Sequence, residues 1–162
     1  VGRNGKLFRL YKFRSMCPNA ESKLNDLLQD NEMDGPVFKM KDDPRITRVG
    51  HFIRKTSIDE LPQFINVFRG DMSVVGPRPH MLKHTEQYSH IIEKYMVRHL
   101  VKPGITGWAQ VNGFRGETSE LWQMEGRVKL DIWYIEHWTP MLDLFIIYKT
   151  VKNAIHGEKE AY

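Results

Sequence analysis

The chain has 162 residues, enough for one domain with a real core and short for two. Hydrophobic residues make up 41% and charged residues 27%, which excludes a disordered polar chain, while a net charge of +4 suits an anionic partner without specifying one. A single cysteine, Cys17, excludes an intrachain disulfide and a cysteine-built zinc site, and no segment reaches the ~18 apolar residues of a membrane-spanning helix.

The first residues, Val1-Gly2-Arg3, carry neither an initiating Met nor a signal-peptide pattern, so further residues are expected upstream. Asn4-Gly5 marks a turn. Residues 7–16 nearly alternate and predict a strand, with Lys12 and Arg14 on one face. Those two cations are either presented together to a ligand or simply solvated. A surface helix is expected over 19–30, a loop over 31–36 and an extended piece over 37–41. Residues 46–55 read as a helix that buries Ile46, Val49 and Ile53 with Phe52 beside them, leaving Arg45, Arg48 and Arg54 off that stripe. Gly50 inside it marks a close approach or a bend.

Leu61, Phe64, Ile65 and Phe68 then repeat at helical spacing, and Gly70 stands where a C-terminal cap belongs. Two starts are open for this helix. Ser57 with Glu60 spells a capping box, whereas Asp59 as the cap puts Pro62 in the first turn, where its missing N–H costs no bond. The later start is preferred, and either one leaves Asp59-Glu60 at a helix entrance.

A short strand over 71–75 leads into Gly76-Pro77-Arg78-Pro79, whose prolines restrict Arg78 from both sides. A helix over 80–97 follows, with Met81, Leu82, Tyr88, Ile91, Ile92 and Tyr95 as its stripe. Glycines and Pro103 punctuate 101–116, predicting a structured loop with one short strand. Thr118 or Ser119 opens a helix to about residue 137 that buries Leu121, Trp122, Val128, Ile132 and Ile135. The last helix, 139–157, is very apolar but too short to span a bilayer, so it is either buried or laid on a membrane surface with Lys149, Lys152 and Lys159 nearby. Together these elements predict an α+β, mostly helical fold: a compact domain with short strands and amphipathic helices.

The chemistry centres on Asp59-Glu60. Acids at helix entrances routinely favour the dipole by ~0.3–1 kcal/mol. Here, though, Arg54 and Lys55 lie just upstream and Arg78 just downstream. A carboxylate nucleophile needs a phosphorus made electrophilic, which arginine forks on its oxygens provide, and a second carboxylate could hold a divalent cation that neutralises a pyrophosphate leaving group. The rival pair Asp42-Asp43 reads better as a cap before Pro44, and His80 and His84 better as a solvated face than as metal ligands. Neither a P-loop nor a dinucleotide glycine motif occurs. LFRLYKFR interleaves aromatic and basic residues and leaves a nucleic-acid-binding module as a second reading. An inactive membrane-surface scaffold, suggested by the last helix, is a third.

Four segments carry a resemblance: YKFRSM (11–16), DPRITRVGHFIRKTSIDELPQFINVFRGDMSVVGPRP (43–79), VKPGITGWAQVNG (101–113) and KLDIWYIEHWTPMLDLFIIYKT (129–150). They run in order over nearly the whole chain. This pattern resembles the catalytic domain of the bacterial sugar transferases, the monotopic phosphoglycosyl transferases that initiate exopolysaccharide, capsule and O-antigen (lipopolysaccharide) assembly. GPVFKMKDD and DIWYIEHW are similar to the hexose-1-phosphate branch of that family.

The resemblance implies one catalytic domain over residues 1–162 with membrane-surface helices. It implies transfer of sugar-1-phosphate from a UDP-sugar, here UDP-hexose, to undecaprenyl phosphate, releasing UMP, with Mg²⁺ required and a phosphosugar-aspartyl intermediate. It assigns Asp59 as nucleophile, Glu60 as metal ligand, and Arg54 and Arg78 as phosphate-binding arginines. Gln63 belongs to the same motif, and Lys12 and Arg14 are added as substrate-side cations. The implied partners are membrane lipid and no nucleic acid, with a homo-oligomer left open, and the implied place is the cytoplasmic face of the bacterial inner membrane. The family's re-entrant hydrophobic helix, and in larger members further transmembrane helices, are expected before Val1. No residue announces the sugar.

Overall fold

The structure, a computed structural model, describes residues 1–27, 43–115 and 120–156. The expected loop over 31–36, the extended piece over 37–41, Asp42, Thr118, Ser119 and Lys159 lie outside the described residues. The fold is α+β and mostly helical, as expected. Its sheet is a parallel pair, β1 (Ser73–Val75) and β2 (Gly104–Thr106), with Ser73 opposite Gly104 and Val75 opposite Thr106.

Parallel neighbours need a crossover. Here it is α4 (Leu82–Ile91) followed by a 3₁₀ turn, Tyr95–Leu100. The helix expected over 80–97 is therefore broken: Ile92 is extended and Lys94 takes a left-handed φ of 61°. Of its expected stripe Met81, Leu82 and Ile91 are exposed, because the break turns the start and end of α4 away from α5, while the other three residues meet inside. Tyr88, Ile92 and Tyr95 pack against Met124 and Val128 of α5 (Leu121–Glu136). A second cluster, Val75, Val111, Tyr134 and Ile146, draws α6 (Pro140–His156) onto the strands. α5 opens on a capping box between Glu120 and Gln123, and its first turn leaves Leu121 and Trp122 exposed where the stripe had buried them. On α6 Ile146 is fully buried, while Met141, Leu144, Phe145, Tyr148, Val151 and Ile155 are exposed. Among the described residues no helix is long and apolar enough to cross a membrane.

The segment expected as a strand, 7–16, has no neighbouring strand among the described residues. A lone antiparallel bridge joins Met16 to Ile46. Its other backbone groups bond to turns and side chains: Phe13 N–H donates to the Asp59 carbonyl (2.9 Å) and Tyr11 N–H to Asn66 Oδ1 (3.0 Å). Asn66 Nδ2 donates in turn to the Arg9 carbonyl (2.7 Å). The segment is a strap that leads into α1 (Ala20–Leu27), the surface helix expected there, and is laid across α2 (Arg48–Lys55) and α3 (Gln63–Phe68). Gly50 is the close approach that its place in α2 suggested, since a Cβ there would lie 2.0 Å from the Ser15 carbonyl oxygen.

The strap explains the largest departure from expectation. The apolar stripes of α2 and α3 face outward. Val49 and Phe52 are exposed, as are Leu61, Phe64, Ile65 and Phe68, the last to 92%. The inward positions of α3 are Gln63 and Asn66, at 1% and 0% exposure. Asn66 wins the inner face because the strap's backbone needs a donor and an acceptor there, and an unpaired buried amide would cost ~1–3 kcal/mol.

Candidate active site

α2 ends at Lys55, and Ser57 reverses the chain in a left-handed conformation (φ 56°) that non-glycine residues adopt rarely. Arg115 Nη2 donates to Ser57 Oγ at 2.7 Å, fixing this turn from a separate part of the chain. Ile58–Glu60 then form a single 3₁₀ turn, and α3 begins at Gln63 with Pro62 before it. Neither proposed start of the second helix is realised. Neither Ser57 nor Asp59 makes a side-chain cap, although the acid pair does stand at the helix entrance.

Glu60 sits in a cationic clamp. Its Oε1 accepts from Lys12 Nζ at 2.8 Å and from Arg78 Nη2 at 2.7 Å, while Oε2 accepts from Arg78 Nη1 at a longer 3.3 Å. Burial pushes this carboxyl upward, but Arg78 and Lys12 outweigh it and hold the pKa at about 2. Asp59 differs. Burial pushes its carboxyl up, Lys12 and Arg54 pull it down, Glu60 pushes it up again, and the net shift is upward. Two adjacent carboxyls are thus driven apart, Glu60 a fixed anion and Asp59 the more basic of the two.

Lys12 and Arg78 both reach the pair. Arg54 lies near enough to act on Asp59 electrostatically, while its Nε donates to Ser15 Oγ of the strap (2.8 Å). Arg14 is exposed and does not bond the pair. Gln63 is sealed beneath α3, with Oε1 lacking a hydrogen-bond partner, and it does not line the groove beside the pair. That groove, about 600 Å³, runs past Glu60 and Ser57 between Phe52, Phe64, Arg115 and Thr150. The sequence offers Ser57 only as a helix cap and does not single out Arg115. Only the glycines flanking Arg115's loop hinted at a binding segment.

The rival sites resolve structurally. Asp43 is buried and accepts from Arg45 Nε (2.8 Å) and Nη2 (2.6 Å), a closed ion pair. Its partner acid Asp42 lies outside the described residues. His80 is buried rather than solvated, because α4 begins only at Leu82 and leaves it in the turn, with Nδ1 2.6 Å from the Tyr95 hydroxyl. Among the described residues no three His, Cys, Asp or Glu side chains are grouped to hold a metal by themselves. A magnesium ion fits a narrower role. Mg²⁺ takes one or two carboxylate oxygens and shares the rest with substrate phosphate and water. Glu60 Oε2, ionised and held by one long bond, is an oxygen of that kind.

A family model described as bacterial sugar transferase matches residues 1–157. The UDP-glucose:undecaprenyl-phosphate glucose-1-phosphate transferase of Escherichia coli (strain K12) is 51% identical over 150 residues, covering 93% of this chain and 30% of that protein. The galactosyl transferase CpsE of Streptococcus agalactiae serotype III is 50% identical over 157 residues, covering 97% and 33%. The undecaprenyl-phosphate galactose phosphotransferase of Salmonella typhimurium is 47% identical over 162 residues, covering 98% and 32%. The chain thus spans about a third of the length of these relatives.

Proposed function

The chain belongs to the bacterial sugar transferase family, and we propose that it is the catalytic domain of an enzyme that moves sugar-1-phosphate from a UDP-hexose to undecaprenyl phosphate. The observation that carries this reading is the divided acid pair, of which Glu60 lines the groove: Glu60 is clamped by Lys12 and Arg78, and Asp59 stands beside it without such a clamp.

The chemistry follows from that division. An Asp59 carboxylate oxygen attacks the phosphorus that bears the sugar, forming an aspartyl–phosphorus bond as the bond to the bridging oxygen breaks, and UMP leaves with that oxygen. A phosphate oxygen of the lipid acceptor then attacks the same phosphorus, which returns Asp59 to a carboxylate and gives a lipid diphosphate sugar. Arg78 and Arg54 spread positive charge over the phosphoryl oxygens. Glu60, through Oε2, would hold a magnesium ion, which supplies charge neutralisation on the pyrophosphate when bound.

Outward-facing Phe52, Phe64, Phe68 and the exposed side of α6 support a membrane-lipid partner, since a lipid-linked acceptor must enter from a bilayer. The acceptor would place the reaction at the bacterial inner membrane, on its cytoplasmic face, where it would start a surface polysaccharide. Relatives named for glucose, galactose and N-acetylgalactosamine are all 42–51% identical, so the sugar is a matter for assay. The test uses the full-length protein in membranes with Mg²⁺ and a panel of UDP-sugars. UMP release and a sugar-phosphate adduct on Asp59 are expected. Asp59→Asn should lose activity by at least ~10³-fold and form no adduct. Wild-type turnover in that variant would remove Asp59 from the chemistry.

A further inference from the structure

The geometry points to Arg98 and Asp131 as positioning residues that aim Arg78 at the acid pair, an inference that rests on the catalytic reading above. Arg98 lies in the 3₁₀ turn after α4 and Asp131 on α5, and their side chains are each about 2% exposed. Arg98 Nη2 and Nε donate to Asp131 Oδ2 at 2.7 and 3.1 Å. The same Nη2 donates to the Arg78 backbone carbonyl at 2.8 Å. From there Arg78 reaches Glu60 through both guanidinium nitrogens. A continuous chain of bonds therefore joins the middle of α5 to the catalytic turn.

The turn needs such a support. Its first half is tied to β2, since Gly76 N–H donates to the Thr106 carbonyl (2.9 Å) and Gly104 N–H to the Pro77 carbonyl (2.9 Å). Pro77 and Pro79 have no N–H to offer. Beyond Pro77 the Arg98 bond takes over. The environment also argues that the pair is there for aim. Asp131 lies between two arginines, Arg98 and Arg127, whose charges oppose the upward push of burial on its carboxyl, and His80 beside Arg78, Arg98 and Arg127 is kept neutral by burial and by those cations. A buried ion pair is weak evidence for stability, because apolar residues of similar size often replace one without loss. Placing a guanidinium is a different matter, since a misplacement of ~1 Å can cost ~10²-fold in rate.

The test replaces both charges together. The full-length Arg98→Met/Asp131→Leu variant is compared with wild type for thermal midpoint, UMP release and hydrogen exchange read by mass spectrometry. The midpoint should be retained and KM for the UDP-sugar little changed, while kcat falls roughly 10–100-fold. Exchange in residues 73–81 should quicken about tenfold, with that of α5 unchanged. Adding Arg78→Lys should cost little more, because its effect is already spent. Wild-type kcat in the folded double variant, or losses that multiply with Arg78→Lys, would overturn the assignment. Should the double variant fail to fold, Arg98→Lys, which keeps the charge but not the planar fork, decides by the same measurements. If wild type releases no UMP from any donor, the catalytic reading fails on its own. The exchange of 73–81 still decides the support of the turn, and an unmoved pattern sinks it.

Discussion

Two parts of the molecule bury opposite kinds of side chain. Where α4, its following turn and α5 meet, tyrosines, Met124, Val128 and Ile92 are inside, as helical amphipathicity leads one to expect. Along α2 and α3 the inside holds Gly50, Gln63 and Asn66, while valine and phenylalanine face out. The first region is a core that would hold in any aqueous protein. The second, formed by α2 and α3, is a ledge: a polar cradle for the strap and the acid pair, with an apolar back. Periodicity therefore reports two faces of a helix but not which one is inner. The inner face is the one whose neighbours have unmet needs, and the strap's backbone groups need hydrogen bonds more than they need carbon.

The largest stability effect belongs to the conventional core. Met124→Ala should cost about 2–5 kcal/mol in denaturant unfolding, because it empties a site that is 2% exposed. A loss under 1 kcal/mol would mean that this region is no better packed than the ledge, and the contrast would fail.

Next comes the clamp. Glu60 has a folded pKa of about 2 against an ordinary 4.5, so its pairing stabilises the fold fully above pH 4.5. That contribution, about 3 kcal/mol, is lost as pH falls through 2. The stability gap between wild type and Glu60→Gln should therefore be widest near neutrality and close in acid. A gap that is flat with pH would show that Lys12 and Arg78 are not holding an anion. Asp59, with its pKa shifted up, works in the opposite direction and favours the fold only when protonated.

Asn66→Ala should cost about 2 kcal/mol, from two lost bonds to the strap, and should lower activity further by releasing Lys12 from Glu60. Much of this site was legible in the sequence, and the reasons it was not wholly so are physical. Asp59-Glu60 and Arg78 announce themselves because neighbouring charge and proline are local signals. Gly50 and the turn at Asn4-Gly5 were readable for the same reason. Lys12 lies 48 residues from Glu60, and Asp131 lies 53 residues from Arg78, so no spacing rule joins them. His80 was misplaced because a helix boundary two residues later decides whether it is on a surface or under a turn. The strand expected over 7–16 failed because alternation describes an extended chain, and only a partner strand makes it a sheet.

The smallest expected stability change is the one that tests the ledge most directly. Phe68 is 92% exposed, so Phe68→Ser should move unfolding by no more than ~0.5 kcal/mol. If the apolar back of α2 and α3 lies against lipid, the same change should weaken partitioning of the protein onto liposomes by roughly tenfold or more, the worth of one buried phenylalanine. The two readouts pull apart only when the apolar face is covered by something other than this chain. Unchanged partitioning together with a stability loss of several kcal/mol would mean that Phe68 is packed within the protein, and α3 would then have its apolar side inside after all. Weakened partitioning at constant stability would mean that the ledge keeps its polar cradle and its apolar back for two different partners, the strap on one side and the bilayer on the other.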